Sequence, residues 1–265
     1  MEDTNDNRFN EGILKYESIK QTAEYKVFLK YNGILRSSAY LNFNFRQLKL
    51  HESKFHEDSF LEKSHGIRWR NQMILAAILS NYIASIAAIK YHFEKHHFKV
   101  IDNENKVLEL LIEIRNATVH HGIPIMTSSR KSFQQEDGQI GIIDEENIQI
   151  NYVVDYLYEW YDKKNDNNSI PERIKELLIF IHSNYEYTIP IIDLSFEAHE
   201  ILLNAINKFK IQFIKSNRTE FESLGLEFKE MKVMLKDYES SPIYEYANLN
   251  NRYFRNLNRI SLRCK

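Results

Sequence analysis

The sequence predicts an all-α fold, a helical bundle that carries one small β-hairpin. Only 7 Gly and 4 Pro accompany 16 Tyr and 16 Phe in 265 residues, too few turn formers for a sandwich or a doubly wound sheet. Long segments repeat apolar residues at helical spacing. Alternation of β-branched residues is confined to one isoleucine-rich stretch near 140–150. A hydrophobic content of 43% is enough to build a core for one large domain or two small ones.

Taken in order, residues 1 to 10 read as a solvated arm. Ile13, Tyr16, Ile19, Ala23 and Val27 then keep helical spacing to about Tyr31, and Gly33 is the expected break. Leu35 through Leu50 reads as a second helix, and Lys49 to Ser64 as a polar loop. From Arg68 to about His97 runs the longest apolar pattern, with no charge between Asn71 and Ile89. Such a run approaches the length that crosses a bilayer. Gln72, Ser80, Asn81, Ser85 and the frequent alanines argue instead for a central bundle helix packed on several sides, so no membrane is expected. Asn81 is then either a satisfied core asparagine or a polar support for a neighbouring site.

Val107 to His121 is one further helix, stopped by Gly122 and Pro124. On a helical wheel with Arg115 at zero, Val107, Leu110, Leu111, Ile114, Ala117 and Thr118 fall between about 200° and 320° and form the core face. Leu108, Glu109, Ile112, Glu113, Arg115, Asn116, Val119 and His120 fall between about 0° and 160°, and His121 at about 240° among the core residues. Arg115, Asn116 and His120 thus share the outer face. Leu108, Ile112 and Val119 beside them imply a partner helix, because apolar surface gains by burial.

Met126 to Gly138 reads as a polar loop, and Ile140, Ile142, Ile143, Ile148 and Ile150 as a hairpin turning at Asp144-Glu145-Glu146-Asn147. Val153 to Tyr161 begins a helix. Lys163 to Ser169 is a linker, with Ser169 capping the helix that Pro171 opens. Helices are expected at about 171–187, 194–215 and 219–237. The chain divides into three consecutive parts: 1–62, a helical domain at 63–216, and 217–265.

The formal charge of −2 and a pI near 6.6 give no global positive field, so any nucleic-acid site must be a local patch. Residues 249 to 265 supply one: Arg252, Arg255, Arg259, Arg263 and Lys265 with no acidic residue, interleaved with Tyr253 and Phe254. The arginine spacing of 3, 4 and 4 keeps one helical face, suited to tracking phosphates while the aromatics stack bases or pack. A solvated terminal helix is the other reading. One cysteine, Cys264, excludes a disulfide framework and a cysteine zinc site. His92 and His96 are spaced i, i+4 with His97 beside them, but no further ligand cluster accompanies them, so no metal is expected. No cofactor is expected either, since there is no glycine-rich phosphate loop, nucleophile elbow or paired-carboxylate pattern. The acidic start Met1-Glu2-Asp3 is unlike a signal peptide, which makes the cytoplasm the expected compartment.

The arrangement Arg115-Asn116-x-x-x-His120 at the end of an amphipathic helix resembles the R-[N/D/H]-x-x-x-H signature of the HEPN superfamily, the higher eukaryote and prokaryote nucleotide-binding helical domains. The segment His120-His121-Gly122-Ile123-Pro124-Ile125 is similar to stand-alone HEPN proteins of bacterial defence systems, and the likeness runs from about Arg68 to Lys210. It implies a HEPN-like helical bundle, a long helix packed beside the motif helix, and a metal-independent endoribonuclease acting as a defence or toxin effector. It also implies a composite site across a homodimer, with a cognate regulator or antitoxin as a further partner. The chain departs from the nucleotidyltransferase-paired toxins, which carry Tyr two residues after the His where this chain has Gly122, so modification there is not expected. The alternative is a non-catalytic HEPN-like scaffold binding nucleotide, RNA or protein.

The residue types suit RNA cleavage by its own 2′-hydroxyl. A histidine titrates near neutral pH and exchanges protons, the role for His120. The guanidinium fork of Arg115 binds two phosphate oxygens. Asn116, about 40° from His120 on the wheel, holds the imidazole or the substrate by hydrogen bonding. One copy offers one such histidine; two copies offer an acid and a base.

Overall fold

The computed structural model describes residues 2–57, 65–95, 105–121, 126–134, 140–164 and 170–263. The expected stops at Gly122 and Pro124, the histidines His96 and His97, the Ser169 cap and Cys264 lie outside them. The fold is all-α, with a small three-stranded antiparallel sheet ordered β1-β2-β3. Two compact units divide it. The first joins residues 1–36 to 206–265, and the second comprises 37–205. The three consecutive parts expected from sequence are therefore not the structural units, because the chain's two ends share one.

In the first unit, α1 (Glu2–Gln21) takes up the stretch expected to be an arm. The break falls at Thr22, not at Gly33, which lies inside α2 (Ala23–Glu57). Thr22 Oγ1 donates to the Ile19 carbonyl at 2.8 Å and accepts from the Tyr25 amide at 3.1 Å, so one hydroxyl ends α1 and caps α2. A helical glycine costs only about 1 kcal/mol, which flanking packing overrides. Gly12, inside α1, has a packing reason: a Cβ there would collide with the buried Leu235 side chain. Lys15 ties α1 to α8 (Arg218–Met234) through Glu227 at 3.0 Å and Glu230 at 2.7 Å. Beyond the short 3₁₀ turn Lys236–Tyr238, Ser241 Oγ caps α9 (Pro242–Arg263) by accepting from the Tyr244 amide, with Pro242 at the first helical position. The core is aromatic. Phe254 meets Phe28 at 5.1 Å and stacks on Phe228 at 5.7 Å, while Tyr31 stacks on Phe213 at 5.4 Å.

In the second unit, α2 continues helical to Glu57 through residues expected to be loop, and α3 spans His65–Lys95. The latter is not buried all round. Leu75, Leu79, Tyr82, Ile86, Ile89 and Phe93 are buried, whereas Ala77, Asn81, Ala84 and Ala88 form an exposed stripe. Asn81 is thus neither a core asparagine nor a site support; its backbone carbonyl accepts from Asn44 Nδ2 and Ser85 Oγ. By length and composition, Arg70–Lys95 is apolar enough to cross a membrane.

α4 (Lys106–His121) starts at Asn105, whose side chain accepts from the Leu108 amide at 3.2 Å. After it, β1 (Met126–Gln134) replaces the expected polar loop and pairs along its whole length with β2 (Ile140–Gln149). Asp144 to Asn147 therefore do not turn; they lie mid-strand opposite Thr127 to Arg130. The register sets Arg130 opposite Asp144. α5 (Ile150–Lys164) follows directly, then α6 (Glu172–Asn184), with Pro171 itself at the N-cap position and no side-chain cap bond. The expected helix to 187 stops at Asn184, since Thr188–Pro190 forms β3 on β2, and α7 (Ile191–Ser216) begins immediately. Tyr82 and Ser195 are buried together, with the tyrosine hydroxyl donating to the Ser195 carbonyl at 2.9 Å.

Candidate functional site

α4 is the middle helix of the second unit, packed against α3, α5 and α6. This explains where the wheel fails. Val107, Leu110, Leu111, Ile114 and Ala117 are buried as expected, but so are Leu108, Glu109 and Glu113 from the supposed outer face. A wheel assigns one core side, whereas a helix with neighbours on several sides buries whatever meets each of them. Thr118 and Ile112 are half-buried, and Val119, 57% exposed, is the apolar residue left open on that face. His121 is also exposed, contrary to the wheel, although α5 still touches it. Its ring meets Tyr156 edge-on at 5.3 Å, and its Nε2 lies 3.8 Å from Glu159.

The two buried carboxylates organise the site. Glu113 accepts from the Tyr161 hydroxyl at 2.9 Å and from Arg173 Nη2 at 3.3 Å on one oxygen, and from Asn116 Nδ2 at 3.3 Å on the other. Arg173 Nη1 donates to Glu109, whose second oxygen faces Lys106 Nζ at 3.4 Å; Lys106 also donates to Glu176 at 2.7 Å. Both carboxylates are thus paired with cations and hydroxyl or amide donors, the condition under which burial of charge is tolerated. Burial works against the Arg173 cation, yet Glu109, Tyr161 and Glu113 outweigh it and raise its pKa. Burial, reinforced by the Glu113 charge, pushes the Tyr161 hydroxyl up to about 12. The same two causes push Tyr156 upward, so both phenols stay protonated donors.

Of the sequence candidates, Arg115 and Asn116 are joined: Arg115 Nη1 donates to Asn116 Oδ1 at 3.4 Å. Because Glu113 takes the amide nitrogen, the amide oxygen is left facing the guanidinium. Arg115 also lines a small cleft with Ala76, Leu79, Ser80 and Ile83 of α3. His120 is exposed and lies elsewhere on the helix. Its ring stacks on Trp160 at 4.0 Å and lies parallel to Tyr156 beyond at 6.1 Å. Among the described residues, no hydrogen bond joins His120 to Arg115 or Asn116. The sequence reading missed Glu109, Glu113, Trp160, Tyr161 and Arg173. The i, i+4 pair Glu109 and Glu113 was visible, but its partner Arg173 is 60 residues from Glu113 and carries no local signal.

The basic tail is only partly as expected. Arg252 and Arg255 are exposed on α9, while the side chain of Arg259 lies outside the described residues. Of the two roles expected for Tyr253 and Phe254, packing is the one observed: Phe254 is fully buried and Tyr253 packs edge-on against Phe28 at 5.8 Å. No protein-family model, no curated protein and no solved structure matches this chain, so its function rests on the chemistry of these residues.

Proposed function

We propose that the chain is a HEPN-type endoribonuclease, a defence or toxin effector that cuts RNA at a site composed from two copies of α4. The observation that carries this reading is the Arg115–Asn116 pair, oriented by buried Glu113, on the same helix end as an exposed His120. In the reaction, a ribose 2′-hydroxyl loses its proton and attacks the adjacent phosphorus. The 5′-oxygen leaves with a proton, giving a 2′,3′-cyclic phosphate and a 5′-hydroxyl. Arg115 holds the phosphate oxygens and stabilises their developing charge, and His120 carries protons.

Within one copy, Arg115 and His120 are about 140° apart around the helix. A second copy facing the first brings an arginine opposite a histidine and supplies a separate acid and base. Val119, exposed beside them, fits such a contact. The scaffold reading draws on the same engagement of Asn116 by Glu113, which also suits a purely structural network. The deciding assay is RNA cleavage in EDTA by wild type, His120→Ala and Arg115→Ala. Both variants are expected to lose about 10²–10⁴-fold while remaining folded. Undiminished cleavage in His120→Ala removes His120 as the proton carrier and with it the HEPN-type assignment, and no cleavage by wild type removes the ribonuclease.

A further inference from the structure

The basic residues of α9 gain a context in the first unit that the sequence alone did not supply. A groove of about 460 Å³ runs between α8 and α9, lined by Glu222, Gly225, Leu226, Lys229, Asn251 and Arg255. Two cations from different helices therefore converge on one groove. Arg255 is not a loose surface side chain: its Nη2 donates at 2.8 Å to Oδ1 of Asn251, a side chain on a residue only 7% exposed. That bond engages one nitrogen and leaves the rest of the guanidinium fork free to donate. The groove's carboxylate, Glu222, is already met by Arg218 Nε at 2.7 Å, which reduces its repulsion of an anion. Gly225 lets the helices approach closely, since a Cβ there would lie 3.3 Å from that of Phe254.

We infer that this α8–α9 groove binds the phosphate backbone of a single RNA strand, with Lys229 and Arg255 as the phosphate contacts. A strand, and not one isolated phosphate, is favoured because the cations continue along the helix. Arg252 is exposed one turn before Arg255, and positions 259 and 263 follow at four-residue steps with no acidic residue after Glu245. Leu226, 61% exposed at the groove, offers an apolar face for a base or ribose. Buried Phe254 shows that the aromatics of this helix serve the core, so recognition rests on charge and is tolerant of sequence. The choice of RNA as the anion rests on the ribonuclease reading; the phosphate chemistry of the groove does not.

The test uses the full chain carrying His120→Ala, so that RNA is not consumed, and a fluorescent single-stranded RNA read by anisotropy across a salt series. Lys229→Glu with Arg255→Glu is compared with a charge-matched control, Lys208→Glu with Lys236→Glu, at exposed positions outside the groove. The groove variant is expected to lose at least about 10-fold in affinity, and its log–log salt slope to shrink by about 1.4, the value for two lost contacts to a single strand. The control is expected to bind like the parent. A footprint needing no variant accompanies it: RNA should protect Lys229 from acetylation while Lys208 stays reactive.

Equal binding by groove variant and control, with Lys229 unprotected, overturns the inference. So does groove-dependent capture of anionic lipid vesicles together with indifference to RNA. If wild type never cleaves RNA but Lys229 and Arg255 still govern binding, the groove stands and the ribonuclease falls. If wild type cleaves and the groove variant binds RNA unchanged, the reverse holds.

Discussion

His120 lies flat against Trp160, their ring centroids 4.0 Å apart and their planes 28° from parallel. The stack leaves the imidazole exposed while limiting its rotation, which is what a group that must meet a scissile bond at fixed geometry requires. Trp160→Ala should therefore lower RNA cleavage by about 10- to 100-fold with the fold retained, and Trp160→Phe should restore most of it. Single-turnover kinetics on the three proteins decide this. Equal rates would leave the stack without a role in the chemistry.

Glu113 differs from Arg115 and His120 in what its loss exposes. It is 2% exposed and holds Tyr161, Arg173 and Asn116 at once. Glu113→Ala removes the acceptor of Tyr161 and Asn116 and one of the two carboxylates that meet Arg173, which keeps Glu109; part-buried donors left without an acceptor cost about 1–3 kcal/mol. His120→Ala, at an exposed position, should cost less than about 1 kcal/mol. Urea unfolding of both variants gives the comparison, and similar costs would refute the central place assigned to the carboxylate.

Dimer formation should hinge on Val119. Changing it to Asp places charge on the open apolar position of α4, and sedimentation equilibrium should then show a monomer, against the dimer expected of wild type. Cleavage should vanish together with the dimer. Full activity in a monomeric Val119→Asp protein would rule out a composite site.

His199 provides a pH signature of the second unit. Its ring is buried against Phe45 at 3.6 Å, and burial, aided by the nearby Lys49 charge, lowers its pKa from 6.5 to about 4. The unfolded chain then binds the extra proton between pH 6.5 and 4, so stability from this group is present above pH 6.5 and is lost as pH falls toward 4. The loss amounts to about 3 kcal/mol at most. His199→Leu should flatten the acid limb of a plot of unfolding free energy against pH in that window. An unchanged slope would show that other groups set it.

Gly12→Ala should destabilise the first unit despite the better helix propensity of alanine. The new methyl meets the fully buried side chain of Leu235, and overpacking of this kind costs about 1–3 kcal/mol. A thermal melt rising instead of falling would show that Leu235 moves aside freely.

Local signals were legible along the chain. Repeats of apolar residues placed α3, α4 and α7, the scarcity of Gly and Pro declared the fold all-α, and the single isoleucine alternation marked strand at 140–149, although as one strand and not as a hairpin. Local caps were as legible and went unread: Thr22, Asn105 and Ser241 each close a bond to an amide three residues on. Tertiary structure decided the rest, for reasons a wheel or a window cannot hold. Gly33 stays helical and Met126–Gln134 becomes a strand because their neighbours supply packing and a paired ladder. Glu109 and Glu113 are buried because Arg173, far along the chain, arrives to neutralise them. Likewise Phe254 belongs to a core and not to an RNA surface, since only the meeting of chain ends brings Phe28 and Phe228 onto it. Whether an apolar or charged side chain faces water is settled by what packs against it, and most of those partners are distant in sequence.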